Sequence, residues 1–170
     1  MPDIDAVQTR ATEKSDLQSI SVLHAKIFGP GRFARTAYRV REGSNRPHDV
    51  TPFCRIATLH NILIASITFT EIQIGGTPGA LLLGPVAVDP EFIGKGIGRT
   101  LITQGLEAAR AAGRSSVLLV GDEPYYSRFG FKSLEPGRIS LPGPVDPKRL
   151  LGLNLQAEAL SQVHGVVMAC

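Results

Sequence analysis

Cysteine is nearly absent. The chain of 170 residues has two, Cys54 within a segment of strand character and Cys170 at the last position. Two thiols so far apart make no disulfide framework, and neither has a partner at metal-ligand spacing, so a reducing compartment and no metal site are expected. His24, His48, His60 and His164 add no paired ligand spacing. Long apolar runs are missing as well: no stretch approaches the roughly 18 residues of a membrane helix. The opening MPDIDAVQTR has neither the basic start nor the apolar run of a secretory signal. A soluble, cytoplasmic protein that engages no membrane is the expectation. Charge of one sign is scarce too, with 18 Lys and Arg against 15 Asp and Glu, a net +3. Nucleic-acid binding would call for a concentrated basic stripe that this balance does not supply. There is no internal repeat and no low-complexity tract.

What the chain does contain is concentrated in its middle. Leu81 to Gly98, LLLGPVAVDPEFIGKGIG, runs an apolar strand into three alternating glycines at the start of a helix. Asp89-Pro90 stops the strand, because proline has no N–H for a ladder. Gly94, Gly96 and Gly98 carry no Cβ to hold a ligand away, so free backbone N–H groups can converge on one anion where the helix dipole also favours negative charge. A pyrophosphate suits that arrangement.

Spacing separates the meanings of such a turn. A nucleotide P-loop needs glycine five residues before its Gly-Lys pair and Ser or Thr directly after; here those positions hold Asp89 and Gly96. A dinucleotide fingerprint needs Gly-x-Gly-x-x-Gly early in a strand-helix-strand unit, and Gly94-Lys95-Gly96-Ile97-Gly98 departs from that spacing and lies deep in the chain. Taken alone, the glycines would also serve a tight turn and nothing more.

Around these motifs the periodicity marks a strand at 7–10 and an amphipathic helix at 15–28 in which Ser15 and Gln18 fit a capping box. A second helical piece spans 33–41, and strands at 53–59 and 62–74 form a hairpin through His60-Asn61. Residues 75–79 turn the chain, a helix covers 97–112 with small residues Gly105, Ala108, Ala109 and Ala112 for close packing, and Gly113 ends it. A strand follows at 116–120, then short apolar segments at 139–141, 150–155 and 163–168, which either complete an interface between two copies or close the sheet.

After the 116–120 strand comes a second cluster, Tyr125-Tyr126-Ser127-Arg128-Phe129-Gly130-Phe131. Together with L-G-P-V-A-V-D-P and G-K-G-I-G-R it resembles the GNAT-type N-acetyltransferases, within them a subgroup of small bacterial acetyltransferases. The resemblance is strongest over 81–131 and fainter outside. It implies one α/β (α+β) domain over 1–170, with a central mixed, mostly antiparallel sheet of six to seven strands flanked by helices. It also implies acetyl transfer from acetyl-CoA to a primary amine of a small molecule or, in second place, a protein.

The same resemblance gives residues their roles. In the family the strand carrying Val86, Ala87 and Val88 splays from its neighbour, so that the Val86 N–H would face the acetyl oxygen and the Val88 backbone would hold the pantetheine arm. Gly94, Lys95, Gly96, Ile97, Gly98 and Arg99 would take the pyrophosphate. The family motif is Gln or Arg, two residues, Gly, one residue, then Gly or Ala; Gly96 and Gly98 match, while Ile93 stands at the Gln/Arg position. That departure removes a polar side chain and leaves the amides. Tyr126, four residues before Gly130, holds the position of the tyrosine that protonates the leaving sulfur. A phenol with a pKa of about 10 can serve a thiolate whose conjugate acid lies near 8.5.

Three further points stay open. The base that takes the amine's proton is Glu71, Glu123 or water. Arg32, Arg35 and Arg39, at i, i+3 and i+7 with Arg41 and Arg46 nearby, make either a solvated helix face or a dock for an acidic substrate. A domain that binds or senses acyl-CoA without catalysis is the alternative to an enzyme.

Overall fold

A computed structural model describes residues 3–31, 36–43 and 49–170. Arg32, Arg35, Arg46, His48 and the start of the expected second helix lie outside the described residues. Among the described residues nine strands build the sheet: β1 (Val7–Ala11), β2 (Arg55–Leu59), β3 (Ile62–Ile74), β4 (Thr77–Val88), β5 (Ser116–Val120), β6 (Lys132–Ser133), β7 (Ile139–Ser140), β8 (Leu150–Asn154) and β9 (Gly165–Ala169). The helices are α1 (Leu17–Phe28), α2 (Thr36–Glu42), α3 (Ile97–Ala111) and α4 (Glu123–Tyr126). The sheet exceeds the expected six or seven strands because β6 and β7 are two residues each, too short to leave a period in the sequence.

The order is β1-β2-β3-β4-β5-β8-β6, with β9 pairing β3 and β7. All neighbours run antiparallel except β4 with β5 and β7 with β9. The parallel β4–β5 pair needs a crossover, and α3 supplies it. The segments at 150–155 and 163–168 enter the sheet as β8 and β9, which leaves Val166 and Met168 exposed.

Local chemistry explains the turns. His60 and Asn61 both take positive φ, 49° and 66°, between paired Leu59 and Ile62, as a two-residue hairpin matching the strand twist requires. The next hairpin turns on Gly75 and Gly76 alone, with φ of 56° and 88°, so β4 begins at Thr77 and not after Gly79. A Cβ on Gly75 would stand 1.9 Å from the His164 carbonyl oxygen, so only glycine lets the chain into β9 pass there. The entry to α1 also differs from the Ser15 and Gln18 pair. Asp16 Oδ2 accepts the Glu13 N–H at 2.8 Å, so the box sits two residues earlier.

Two apolar layers cover the sheet. On one face α3 lays Ile97, Leu101, Ile102, Leu106 and Ala109 over Ile67, Phe69, Leu81 and Leu83. Gly105 permits the close approach, since a Cβ there would stand 2.4 Å from Phe69 Cε2 and 2.9 Å from the Phe53 carbonyl oxygen. On the other face Val40 of α2 joins Ile72, Leu82, Leu118, Ile139 and Val167. Among the described residues, no helix is long and apolar enough to cross a membrane.

Candidate active site

The site begins where β4 and β5 part. They pair over Ala80–Leu82 and Ser116–Leu118 only, after which β5 keeps β8 alone. On its other side β4 stays paired with β3, through a bulge that sets Ile67 opposite Val86 but Phe69 opposite Leu83. The Asp89 N–H donates to the Ile64 carbonyl at 2.8 Å. Strand alternation then turns the backbone groups of Ala87 toward β3, and those of Val86 and Val88 toward the edge that β5 has left. A cleft of about 290 Å³ opens there, lined by Gly84, Val86, Val120, Tyr126, Asp146 and Arg149, with Ala37 of α2 at one side.

The turn beyond β4 is anchored at both ends. Asp89 accepts the Glu91 and Phe92 N–H groups, and Phe92 is buried. Lys26 of α1 donates to the Asp89 carboxylate at 2.7 Å, which holds that carboxyl below the ordinary range and raises the ammonium. Gly94 and Gly96 both take φ of 81°, a conformation that a side chain resists. No side chain caps α3. The N–H groups of Gly94, Lys95, Gly96, Ile97, Gly98 and Arg99 find no acceptor among the described residues; the first to do so is Thr100, bonded to the Gly96 carbonyl at 3.0 Å. Ile97 buries its side chain in the core, while Lys95 and Arg99 are exposed, as is Ile93.

Strand end, helix start and tyrosine pair meet at Gly98. A Cβ on it would stand 3.4 Å from Val88 Cγ2 and 3.9 Å from the Tyr125 hydroxyl. The Tyr125 and Tyr126 rings meet edge on at 4.9 Å, and Tyr126 also meets Phe131 at 6.0 Å. The Arg128 guanidinium lies 4.5 Å over Tyr125. Both rings pack against the core, and Tyr126 also lines the cleft.

The two candidate carboxylates stand elsewhere. Glu71 pairs with Arg114 in a separate cavity with Thr51 and Cys170, and Glu123 accepts the Ser133 hydroxyl; neither lines the Tyr126 cleft. Of the arginines on the second helix, Arg39 lies against Gly143 in the loop whose next three residues line the cleft. Sequence reasoning passed over Gly121, Asp146 and Arg149. Gly121 leaves room for the Tyr126 ring, but a lone glycine after a strand gives no sign of that. Asp146 and Arg149 sit in a Pro- and Gly-rich stretch without period.

An open mixed sheet that parts beside a glycine turn leading a crossover helix defines a GNAT-type fold. The family model described as an acetyltransferase (GNAT) domain matches residues 54–133. The N-acetyltransferase YjhQ of Escherichia coli is 32% identical over 125 residues, 71% of this chain and 67% of that protein. The glucosamine 6-phosphate N-acetyltransferase of Trypanosoma brucei brucei is 31% identical over 147 residues, 79% of this chain and 95% of that protein. Among solved structures, the GNAT family N-acetyltransferase YhbS of Escherichia coli in complex with CoA superposes with a TM-score of 0.81 at 24% identity, covering 97% of this chain and 90% of that one. A GNAT family acetyltransferase of Brucella melitensis, in complex with acetyl-CoA, gives 0.61 at 27% identity over 86% and 95%. The chain belongs to the GNAT acetyltransferases.

Proposed function

We propose that this protein transfers an acetyl group from acetyl-CoA to a primary amine of a small molecule. The observation that carries the reading is the row of unpartnered amides from Gly94 to Arg99, set beside the outward edge of β4 at Val86 and Val88. The residues present fit such a ligand. The amide row and the α3 N-terminus suit its diphosphate, Lys95 and Arg99 can add charge, and the free groups of Val88 can pair with the amides of its arm. The Ile93 side chain has no hydrogen-bonding group, so the diphosphate rests on the main chain and those two cations.

Bound there, acetyl-CoA supplies an activated acetyl group as a thioester. The Val86 N–H donates to the acetyl oxygen and stabilises the charge that builds on it. The cleft admits the amine, which attacks directly; as its N–C bond forms the C–S bond breaks, and the surplus proton on nitrogen passes to water. Tyr126, with Ala87 and Val88 fixing the strand beside it, gives its hydroxyl proton to the departing sulfur and recovers one from solvent. Of Glu71, Glu123 and water, water takes the proton, because neither glutamate lines the cleft. The trypanosomal relative, by its name, acts on an amino-sugar phosphate, which supports a small amine as the acceptor class.

Tyr126→Phe tests the reading. It should keep acetyl-CoA affinity, measured as thermal stabilisation that NAD does not give, while thiol release with an accepted amine falls about 10²-fold or more. A domain that only binds or senses acyl-CoA would show the stabilisation and release no thiol with any amine.

A further inference from the structure

The charged side chains of the cleft come from one short stretch. Asp146 and Arg149 flank the turn before β8, and that turn is held firmly. The Arg149 N–H donates to the Asp146 carbonyl at 2.9 Å, the Lys148 N–H to the Asp146 carboxylate at 3.0 Å, and the Arg149 carbonyl accepts the Gly121 N–H at 2.9 Å. The guanidinium of Arg149 is half exposed. Its Nε lies 3.6 Å from the Asp122 carboxylate, and Asp122 is itself 78% exposed, so the pair is weak and the guanidinium's outer fork remains free among the described residues. One open guanidinium, that of Arg149, therefore lines the cleft, and among the described residues one carboxylate, that of Asp146, lines it too.

We infer that the acceptor is an amine that also carries a carboxylate or phosphate group, with Arg149 holding the anion and Asp146 facing the amine. The inference rests on the acetyl-transfer reading and specifies its substrate. An arginine fork binds planar or tetrahedral oxyanions through paired N–H groups, which a neutral acceptor cannot use. Asp146 would repel a bare anion, yet it attracts the ammonium form of the amine as it enters. A ligand with both charges satisfies both ends.

Matched acceptors test this by thiol release: an amino sugar against its 6-phosphate, and an ω-amino acid against its amide. The anionic member of at least one pair should be preferred by about tenfold or more in kcat/KM, and the pair that shows it tells phosphate from carboxylate. The preference should shrink as salt rises. Arg149→Gln should lower it about tenfold through KM, with acetyl-CoA stabilisation retained, and Arg149→Lys should restore part of it. Equal rates within both pairs, or an Arg149→Gln loss shared equally by charged and neutral acceptors, would overturn the inference while leaving acetyl transfer standing. Failure of every amine to release thiol would overturn both.

Discussion

A Cβ placed on Gly121 would stand 2.5 Å from Cε2 of Tyr126. The ring cannot simply step aside, because Tyr125, Phe129 and Phe131 surround it with centroids at 4.9, 6.4 and 6.0 Å. Nor can the backbone of Gly121 retreat, since its N–H is bonded to the Arg149 carbonyl. Gly121→Ala should therefore displace the phenol. Misplacing a reacting group by about 1 Å costs on the order of 10²-fold in rate. Turnover should fall by that order, with acetyl-CoA affinity kept. Unchanged turnover would mean that the Tyr126 position does not matter to the reaction.

The part of the site that sequence made legible is the part written in the main chain. Glycines at 94, 96 and 98, with the Asp89-Pro90 stop before them, announce a turn whose amides are free whatever the neighbouring side chains do. β3, α3 and β5 were legible for a related reason: each is long or apolar enough to show its period. The cleft was not. Val86 and Tyr126 approach it from opposite sides of the β4–β5 split, and Asp146 and Arg149 are delivered by a turn bonded to Gly121 just past β5. Glu71 illustrates the limit, for its place on β3 allows either direction, and pairing with Arg114 draws it to another cavity.

Gly105 sets two effects of opposite sign against each other. Alanine is the better helix former by about 1 kcal/mol, so in an exposed helix Gly105→Ala would stabilise. Here the added methyl would meet a phenyl edge at 2.4 Å and a backbone oxygen at 2.9 Å, and the latter cannot rotate away. Overpacking of this kind costs about 1–3 kcal/mol, which outweighs the propensity gain. Urea denaturation should show a net loss. A net gain would mean that α3 can lift off the sheet at little cost.

Glu71→Gln separates a structural carboxylate from a catalytic one. The pair with Arg114 is partly exposed, at 41% and 33%, so its loss should cost no more than about 1 kcal/mol. Arg114 would keep its place 5.4 Å over the Phe53 ring. Thiol release should stay within about twofold at every pH, because the carboxylate does not line the Tyr126 cleft. A loss on the order of 10²-fold, the size expected for a general base, would return Glu71 to that role.

Asp16 makes the acid limit of stability predictable in sign. Its carboxylate accepts Arg10 Nη1 at 2.7 Å and Nη2 at 2.8 Å, and these bonds, assisted by the Glu13 N–H, hold its pKa below the ordinary value against the opposing effect of burial. A carboxyl depressed in the folded state contributes fully above its unfolded pKa, about 3.9, and the contribution is lost as pH falls through the folded value. Asp16→Asn retains an acceptor for the Glu13 N–H, removes the charge, and turns one of the two oxygens that accept from Arg10 into an amide donor. With Arg10 46% exposed, the cost at pH 7 should be about 1 kcal/mol. It should be the same at pH 5 and narrow toward pH 3, where the wild-type carboxyl takes up its proton. Urea denaturation of both proteins at the three pH values measures the gap. A gap that is constant throughout, or that widens in acid, would mean that the Arg10 pair does not stabilise the charged form.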